Sequence, residues 1–268
     1  IGSREGIADE KLKITRFLTQ EQPLVYNCDS PFLNKEEIVK RTGGNFRLVA
    51  AGEGEEALVK LSGAKEKGAE GICFDLTADG ICQHFELPFL GLHNAHNGAL
   101  AAAMGLQFGI SLAMAAEAMP KASMEGKRLE VSRIGDAYMI DDSYNANPDS
   151  LASALRTLMS LQAKRRITVI SQMRELGDAE EESHIMIGKL ACDLGIDFVV
   201  AIGACREYYA EGIYRSQGTS TFLSFEDMES AKEALVSLIR KEDAVLVKGS
   251  FSTGICKLAA ALKEHYAK

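Results

Sequence analysis

Four short apolar runs near the C-terminus, "RITVIS", "DFVVAIG", "STFLSF" and "DAVLVKGS", are separated by segments with helical spacing. Those segments are "AEEESHIMIGKLACDL", "CREYYAEGIY" and "EDMESAKEALVSLIRK", and "TGICKLAAALKEH" closes the series. Few arrangements satisfy such an alternation. Parallel strands need a long crossover between them, and a helix supplies it. Strands covered on both faces by those helices read as unbroken apolar runs, as these do. The pattern predicts a mostly parallel α/β domain over 163–268 and a different domain over 1–162, with the boundary near Gln162.

The first part has another rhythm. "GIADEKLKITRFL" carries apolar residues along a rough helical face. "PLVYNCD" and "FRLVAAG" read as strands. "GICFDL" and "ICQHFEL" flank "TADG" as a hairpin. The Ala-rich stretch from Asn97 to Met119 reads as two helices divided at Gly105 and Gly109, with Ser111 as the second N-cap. "RLEVSRIGDAYMIDD" predicts a second hairpin, turning at Ile134-Gly135-Asp136. Pro148 then opens a helix, where its missing N–H is harmless.

Composition removes several classes of function. With 46% hydrophobic and 25% charged residues over 268 positions, the chain is globular rather than disordered. A net charge of −8 argues against a nucleic-acid binder. No apolar run is long enough to span a membrane, and "IGSREGIADEK" lacks the apolar core of a signal peptide. The six cysteines show no C-x-x-C pair and sit mostly in apolar runs. Free thiols in a reducing cytoplasm are expected, and no zinc site. The missing initiator Met suggests a piece of a longer protein or a processed product.

Two polar clusters interrupt apolar runs: "MIDDSYNAN" and "VLVKGS". Asp and Asn are good turn and cap residues, which explains one such cluster without invoking function. Two clusters at strand ends point to a ligand edge, because open parallel sheets bind ligands beyond the carboxyl ends of their strands. Together with "FLGLHNAHNGALAAA" and "RRITVISQMRELGDAEEESHIMIG", these segments resemble the Mur ligases of peptidoglycan synthesis. "DDSYNANPDS" is the most specific of them. It is similar to the branch that joins D-alanyl-D-alanine to UDP-MurNAc-tripeptide.

The resemblance implies the later part of a central ATPase domain over 1–162, followed by a Rossmann-like C-terminal domain over 163–268. It implies an ATP-dependent amide ligation with Mg²⁺, in the cytoplasm, by a monomer. A substrate carboxylate would attack the γ-phosphate to give an acyl phosphate, and the dipeptide amine would then displace phosphate. His93, Asn94 and Asn97 match the adenine-side residues, and Arg128 an arginine that reaches the phosphates. Asp142 matches the carboxylate that accepts from ribose hydroxyls. Tyr144, Asn145 and Asn147 follow it on a loop expected to join the two domains and to act as their hinge, and Asp141 is expected to hold that loop. Lys248, Ser250 and His184 match substrate-side residues. Lys11 matches a lysine that becomes a carbamate and then binds metal.

Each role has a plainer competitor. Lys11 reads equally as a solvated helix lysine, Asn94 as a helix cap, Arg128 as a strand-edge cation, and the acids before His184 as favourable helix N-terminal charges. The chain also departs from the family pattern at Leu92, Ser171, Gln172 and Phe251, and contains no G-x-x-G-K-[ST] phosphate loop. The expectation is therefore a ligase part that is inactive alone. The alternatives are a non-catalytic Mur-like binding module and a Mur-like ligase with another acceptor.

Overall fold

The computed structural model describes residues 3–122 and 129–267. These form two compact units, the first ending at Ala122 and the second running from Leu129. No helix among the described residues is long and apolar enough to cross a membrane.

The first unit holds a five-stranded sheet in the order β1-β2-β3-β4-β5, with β1 Pro23–Asn27, β2 Arg47–Gly52, β3 Val59–Glu66, β4 Ile72–Ala78 and β5 Ile81–Leu87. The first three strands are parallel and the last two antiparallel to their neighbours. The hairpin expected at "TADG" is β4–β5. It turns at Asp79 and Gly80, both with positive φ (50° and 77°), as a tight two-residue turn requires. In β4, Ile72, Phe74, Leu76 and Ala78 face the core, while Cys73, Asp75 and Thr77 stand on the other face. Phe74 stacks on Phe85 across the hairpin, with ring centroids 5.3 Å apart.

Around this sheet lie α1 (Arg4–Leu12), α2 (Lys35–Thr42), α3 (His93–Leu106) and α4 (Leu112–Ala118). The Ala-rich stretch is indeed two helices, and Ser111 caps the second by accepting from the Met114 N–H. The small residues of α3 let it lie close to the sheet: a Cβ on Gly98 would come within 2.7 Å of Phe74 Cζ.

The second unit is built on a six-stranded sheet in the order β10-β9-β8-β11-β7-β6. Its strands are β6 Glu130–Ile134, β7 Ala137–Asp142, β8 Arg165–Ser171, β9 Phe198–Ile202, β10 Thr221–Phe225 and β11 Asp243–Lys248. All pairs are parallel except β6–β7, the second expected hairpin. Five helices of this unit among the described residues are α5 (Pro148–Ser160), α6 (Glu180–Asp193), α7 (Arg206–Tyr214), α8 (Met228–Leu238) and α9 (Ile255–Tyr266). Every residue of β11 is buried, as a central strand sandwiched by helices must be.

The units do not divide near Gln162. β7 pairs in parallel with β11, Tyr138 opposite Ala244 through Asp142 opposite Lys248, so the second hairpin and α5 belong to the second sheet. The change of rhythm at residue 163 marks where the repeating alternation starts, whereas the sheet also recruits an earlier strand. The segment Asn145 to Asp149, expected as a hinge, consequently lies inside the second unit, between β7 and α5.

Candidate functional site

The carboxyl ends of β7 and β11 lie side by side, and each ends on a charge. Lys248 Nζ donates to Asp142 Oδ2 at 2.6 Å and to the Asn145 carbonyl at 2.9 Å. Asp142 Oδ1 also accepts from the Leu129 N–H at 3.3 Å. Lys248 is 2% exposed and Asp142 8%, so the pair sits where water screens little.

The preceding residue repeats the device on the opposite face of the strand. Asp141, 1% exposed, accepts through Oδ1 from the Ser143 N–H (3.3 Å) and hydroxyl (2.5 Å). Its Oδ2 accepts from Lys263 Nζ at 3.2 Å. Lys263, on α9, also donates to Glu130 Oε1 at 2.9 Å. Burial acts to lower the Lys263 pKa, but the hydrogen bond to Glu130 and the attraction and hydrogen bond of Asp141 outweigh it, and the net direction is up.

The loop held by these pairs presents Tyr144 and Asn145 outward and tucks Ala146 inward. The Tyr144 ring faces Phe251, with centroids 6.4 Å apart. Asn147 is spent on α5: its Oδ1 accepts from the Ser150 N–H while its own N–H donates to the Ser150 hydroxyl, a capping box with Pro148 in the first turn.

Further along the same edge, the ends of β8 and β11 are bolted together and to α7. The Ser171 hydroxyl bonds that of Thr253 at 2.8 Å, and Tyr209 donates its hydroxyl to the Ser171 carbonyl at 2.9 Å. A Cβ on Gly249 would overlap Ser171 Oγ, which explains the glycine. The Ser250 hydroxyl accepts from the Arg174 N–H at 2.9 Å.

His184 is fully buried and spans the loop before α6. Its Nε2 accepts from the Met173 N–H at 2.9 Å, so Nδ1 carries the proton and donates to the Glu180 carbonyl at 2.6 Å. Burial pushes its pKa down, against the carbonyl and charge of Glu180. A histidine lowered in the fold stabilises it fully above its unfolded value near ~6.5 and progressively less as pH falls toward the folded value. Urea midpoints of the parent should therefore drop on acidification from about pH 7 to about pH 5. His184→Asn, already destabilised, should show less of that drop, and an identical pH slope in both would contradict the assignment.

A cavity of about 360 Å³ opens along this edge, lined by Gln172, Arg174, Gly203, Glu226, Asp227 and Thr253 among others. Most of these lie just beyond the ends of β8, β9 and β10, and Thr253 follows β11. Glu226 accepts from Arg206 at 3.0 Å, and Asp227 caps α8 through the Ser230 N–H. Apart from Gln172, the motifs did not single these residues out. The usable signal was position: Gly203 and Glu226 directly follow the apolar runs "DFVVAI" and "TFLSF".

The structure thus gathers Asp142, Tyr144, Asn145, Asn147, His184, Lys248 and Ser250 along one sheet edge. His93, Asn94 and Asn97 lie in the first turns of α3, in the other unit. Asn94 does not cap that helix; it is buried, donates to the Leu90 carbonyl at 2.8 Å and accepts from Asn97 Nδ2 at 3.0 Å. His93 and Asn97 are exposed. His96 Nδ1 approaches Asp29 Oδ2 at 3.4 Å, and Asp29 accepts the N–H groups of Glu53 and Gly54, both at 2.8 Å. The start of α3 thereby meets the loops that follow β1 and β2.

Lys11 is exposed in the last turn of α1. Among the described residues no three His, Cys, Asp or Glu side chains converge to hold a metal ion. Arg128 lies outside the described residues.

Comparison with known proteins agrees across sequence and fold. The Mur ligase middle domain matches residues 1–105, and the Mur ligase glutamate ligase domain matches residues 127–251. The UDP-N-acetylmuramoyl-tripeptide–D-alanyl-D-alanine ligase of Bacillus subtilis is 31% identical over 252 residues, covering 93% of this chain and 53% of the relative. The Escherichia coli ligase of the same name is 30% identical over 67% of this chain and 39% of its own length. The crystal structure of MurF from Acinetobacter baumannii superposes with a TM-score of 0.86 at 26% identity, over 98% of this chain and 56% of that one. MurF from Thermotoga maritima, solved with ADP, shares the fold with a TM-score of 0.81 at 20% identity, over 99% of this chain and 58% of that one. The chain spans about half the length of the Bacillus subtilis relative.

Proposed function

The chain belongs to the Mur ligase family, and on that premise we propose that it supplies the ribose-gripping and acceptor-binding part of an ATP-dependent ligase. The reaction is the joining of D-alanyl-D-alanine to UDP-MurNAc-tripeptide, in the cytoplasm, with Mg²⁺ arriving alongside ATP. The observation that carries the reading is the buried Asp142–Lys248 pair at the carboxyl ends of adjacent parallel strands, on the sheet edge that also carries the cavity. Ligands of such sheets bind at that edge.

Each residue then has a task set by its chemistry. Asp142 accepts from ribose hydroxyls, and Lys248 holds it in place rather than touching the acceptor itself. Tyr144 and Asn145 flank the sugar. Ser250 and His184 hold the neighbouring loop in place from behind. The cavity carries the exposed Arg174 and the acids Glu226 and Asp227. A zwitterionic dipeptide needs both signs, a cation for its carboxylate and acids for its ammonium. Its volume lies within the usual small-ligand range of roughly 300–1,000 Å³. His93 and Asn97 offer a flat ring and a donor–acceptor amide to an adenine.

The chemistry asks mainly for alignment. An acyl phosphate is attacked by an amine held in line, so most of the acceleration comes from positioning and charge stabilisation. The test uses the natural gene product carrying this sequence, supplied with ATP, Mg²⁺, UDP-MurNAc-tripeptide and D-alanyl-D-alanine. Phosphate release should require both peptide substrates. Asp142→Asn, checked for folding, should lower kcat/KM by about a hundredfold, the loss of one charge-assisted contact. Release that ignores the dipeptide, or none at all, would count decisively against the ligase reading.

A further inference from the structure

Nothing in the proposed chemistry uses Lys263, yet it holds the carboxylate of Asp141, which in turn ties Ser143 at the start of the loop after β7. We propose that Lys263 is a positioning residue: acting through Asp141 and Ser143, it sets the geometry with which Asp142 and Asn145 meet the ribose. Its functional half rests on the ligase reading; its structural half does not.

The argument begins with the loop's anchorage. Residues 143–147 leave a central strand and must enter α5 at Asn147. Between those points the chain is tied at two places. Lys248 takes the Asn145 carbonyl at 2.9 Å, and Asp141 takes both the N–H and hydroxyl of Ser143. Ser143 is fully buried. With one carboxylate oxygen given to Ser143, the other needs a charged donor, because an unpaired buried carboxylate is strongly disfavoured. Lys263 Nζ is that donor, at 3.2 Å. Without it, Asp141 has a reason to turn toward water, which releases Ser143.

The element that delivers Lys263 strengthens the case. α9 begins at Ile255, a few residues after Lys248, Gly249 and Ser250, so one continuous segment, 248–263, contributes both lysines. Lys248 grips the strand end through one face and Lys263 through the other. Movement of α9 would therefore reach the loop from behind, without contact with a ligand. Glu130, the other partner of Lys263, has an exposed side chain and serves as the control: its ion pair is solvent-screened, and losing it should do little.

The experiment compares the gene product carrying this sequence with Lys263→Met, Lys263→Arg and Glu130→Gln. Amide exchange over residues 143–147 is read without substrate. Lys263→Met should speed it by about tenfold while β8 and β9 keep parent rates, a local opening rather than a global one. The same variant should raise the KM for ATP by about tenfold with kcat within about twofold, since what is lost is alignment of a binding group. Lys263→Arg should restore both, and Glu130→Gln should match the parent.

Parent-like loop exchange in Lys263→Met would overturn the proposal. So would uniform acceleration across the whole sheet, which would make Lys263 merely structural. Parent-like KM with a loosened loop would remove the functional half. If the unsubstituted protein shows no dipeptide-dependent phosphate release, the ligase reading fails on its own, and loop exchange still decides the tether.

Discussion

Lys248→Met is expected to destabilise the second unit by about 3–5 kcal/mol, because it removes one member of a buried pair and leaves the other charged. Asp142 would keep only the Leu129 N–H among the two hydrogen bonds described for its carboxylate, and the Asn145 carbonyl would lose its donor. Adding Asp142→Asn should recover a large part of the loss. Asparagine carries no charge to strand, and its carbonyl oxygen can still accept from Leu129. The double variant should therefore be more stable than Lys248→Met alone, although it differs from the parent at one more position. Urea unfolding of all four corners of the cycle measures this directly. A single-variant loss below about 1 kcal/mol would mean the pair behaves like a solvent-exposed one. In that case the reading of Asp142 as a rigid acceptor would lose its physical basis.

Gly212→Ala sets two principles against each other. Helix propensity alone predicts a gain of about 1 kcal/mol, since Gly212 lies within α7 and alanine is the better helix former. The packing predicts the reverse. A Cβ at Gly212 would overlap the Ile185 carbonyl oxygen of α6, and one at Gly188 of α6 would overlap the Tyr209 carbonyl of α7. The two helices touch backbone to backbone through reciprocal glycines, and backbone cannot swing aside as a side chain can. The expected loss is about 3 kcal/mol or more, at the upper end of overpacking effects. Thermal unfolding should show a drop of several degrees at least. An unchanged or raised midpoint would show that α6 and α7 have room to separate. The bracket formed by His184 and Tyr209 against β8 would then be looser than described.

Local chemistry was readable from the sequence, and distant pairing was not. The alternation after residue 163 led directly to β8 through β11, and "DDSYNANPDS" to a strand end followed by a capped helix. The turn at Asp79-Gly80 and the cap at Ser111 also follow from residue type. The place of β7 does not, because its partner strand lies about a hundred residues away and leaves no local trace. That is why the expected boundary fell near Gln162. β3, with Gly63 at positive φ and mixed exposure, shows no clean alternation and went unread, as did the short α2.

Roles within the site divide the same way. Sequence identified Lys248, Ser250 and His184 as polar groups at the right edge. Whether such a side chain points at a ligand or at neighbouring backbone depends on a rotamer that no spacing encodes. Ser250 and His184 turn to the backbone, and Lys248 turns to Asp142 and the Asn145 carbonyl. The positive charge lining the cavity comes from Arg174, which stands inside the run "RRITVISQMRELGDAEEESHIMIG" without being singled out there.

Adjacent carboxylates on β7 also constrain how the sheet assembles. Asp141 looks toward Lys263 and Asp142 toward Lys248, across opposite faces of one strand. Sliding β7 by a single position would reverse every side chain: one acid would take its neighbour's place beside the other lysine, and the second would be left buried without its cation. Mispaired intermediates of this kind carry one unpaired buried acid. The doublet thus acts as a proofreading mark for strand alignment, independent of anything it later binds.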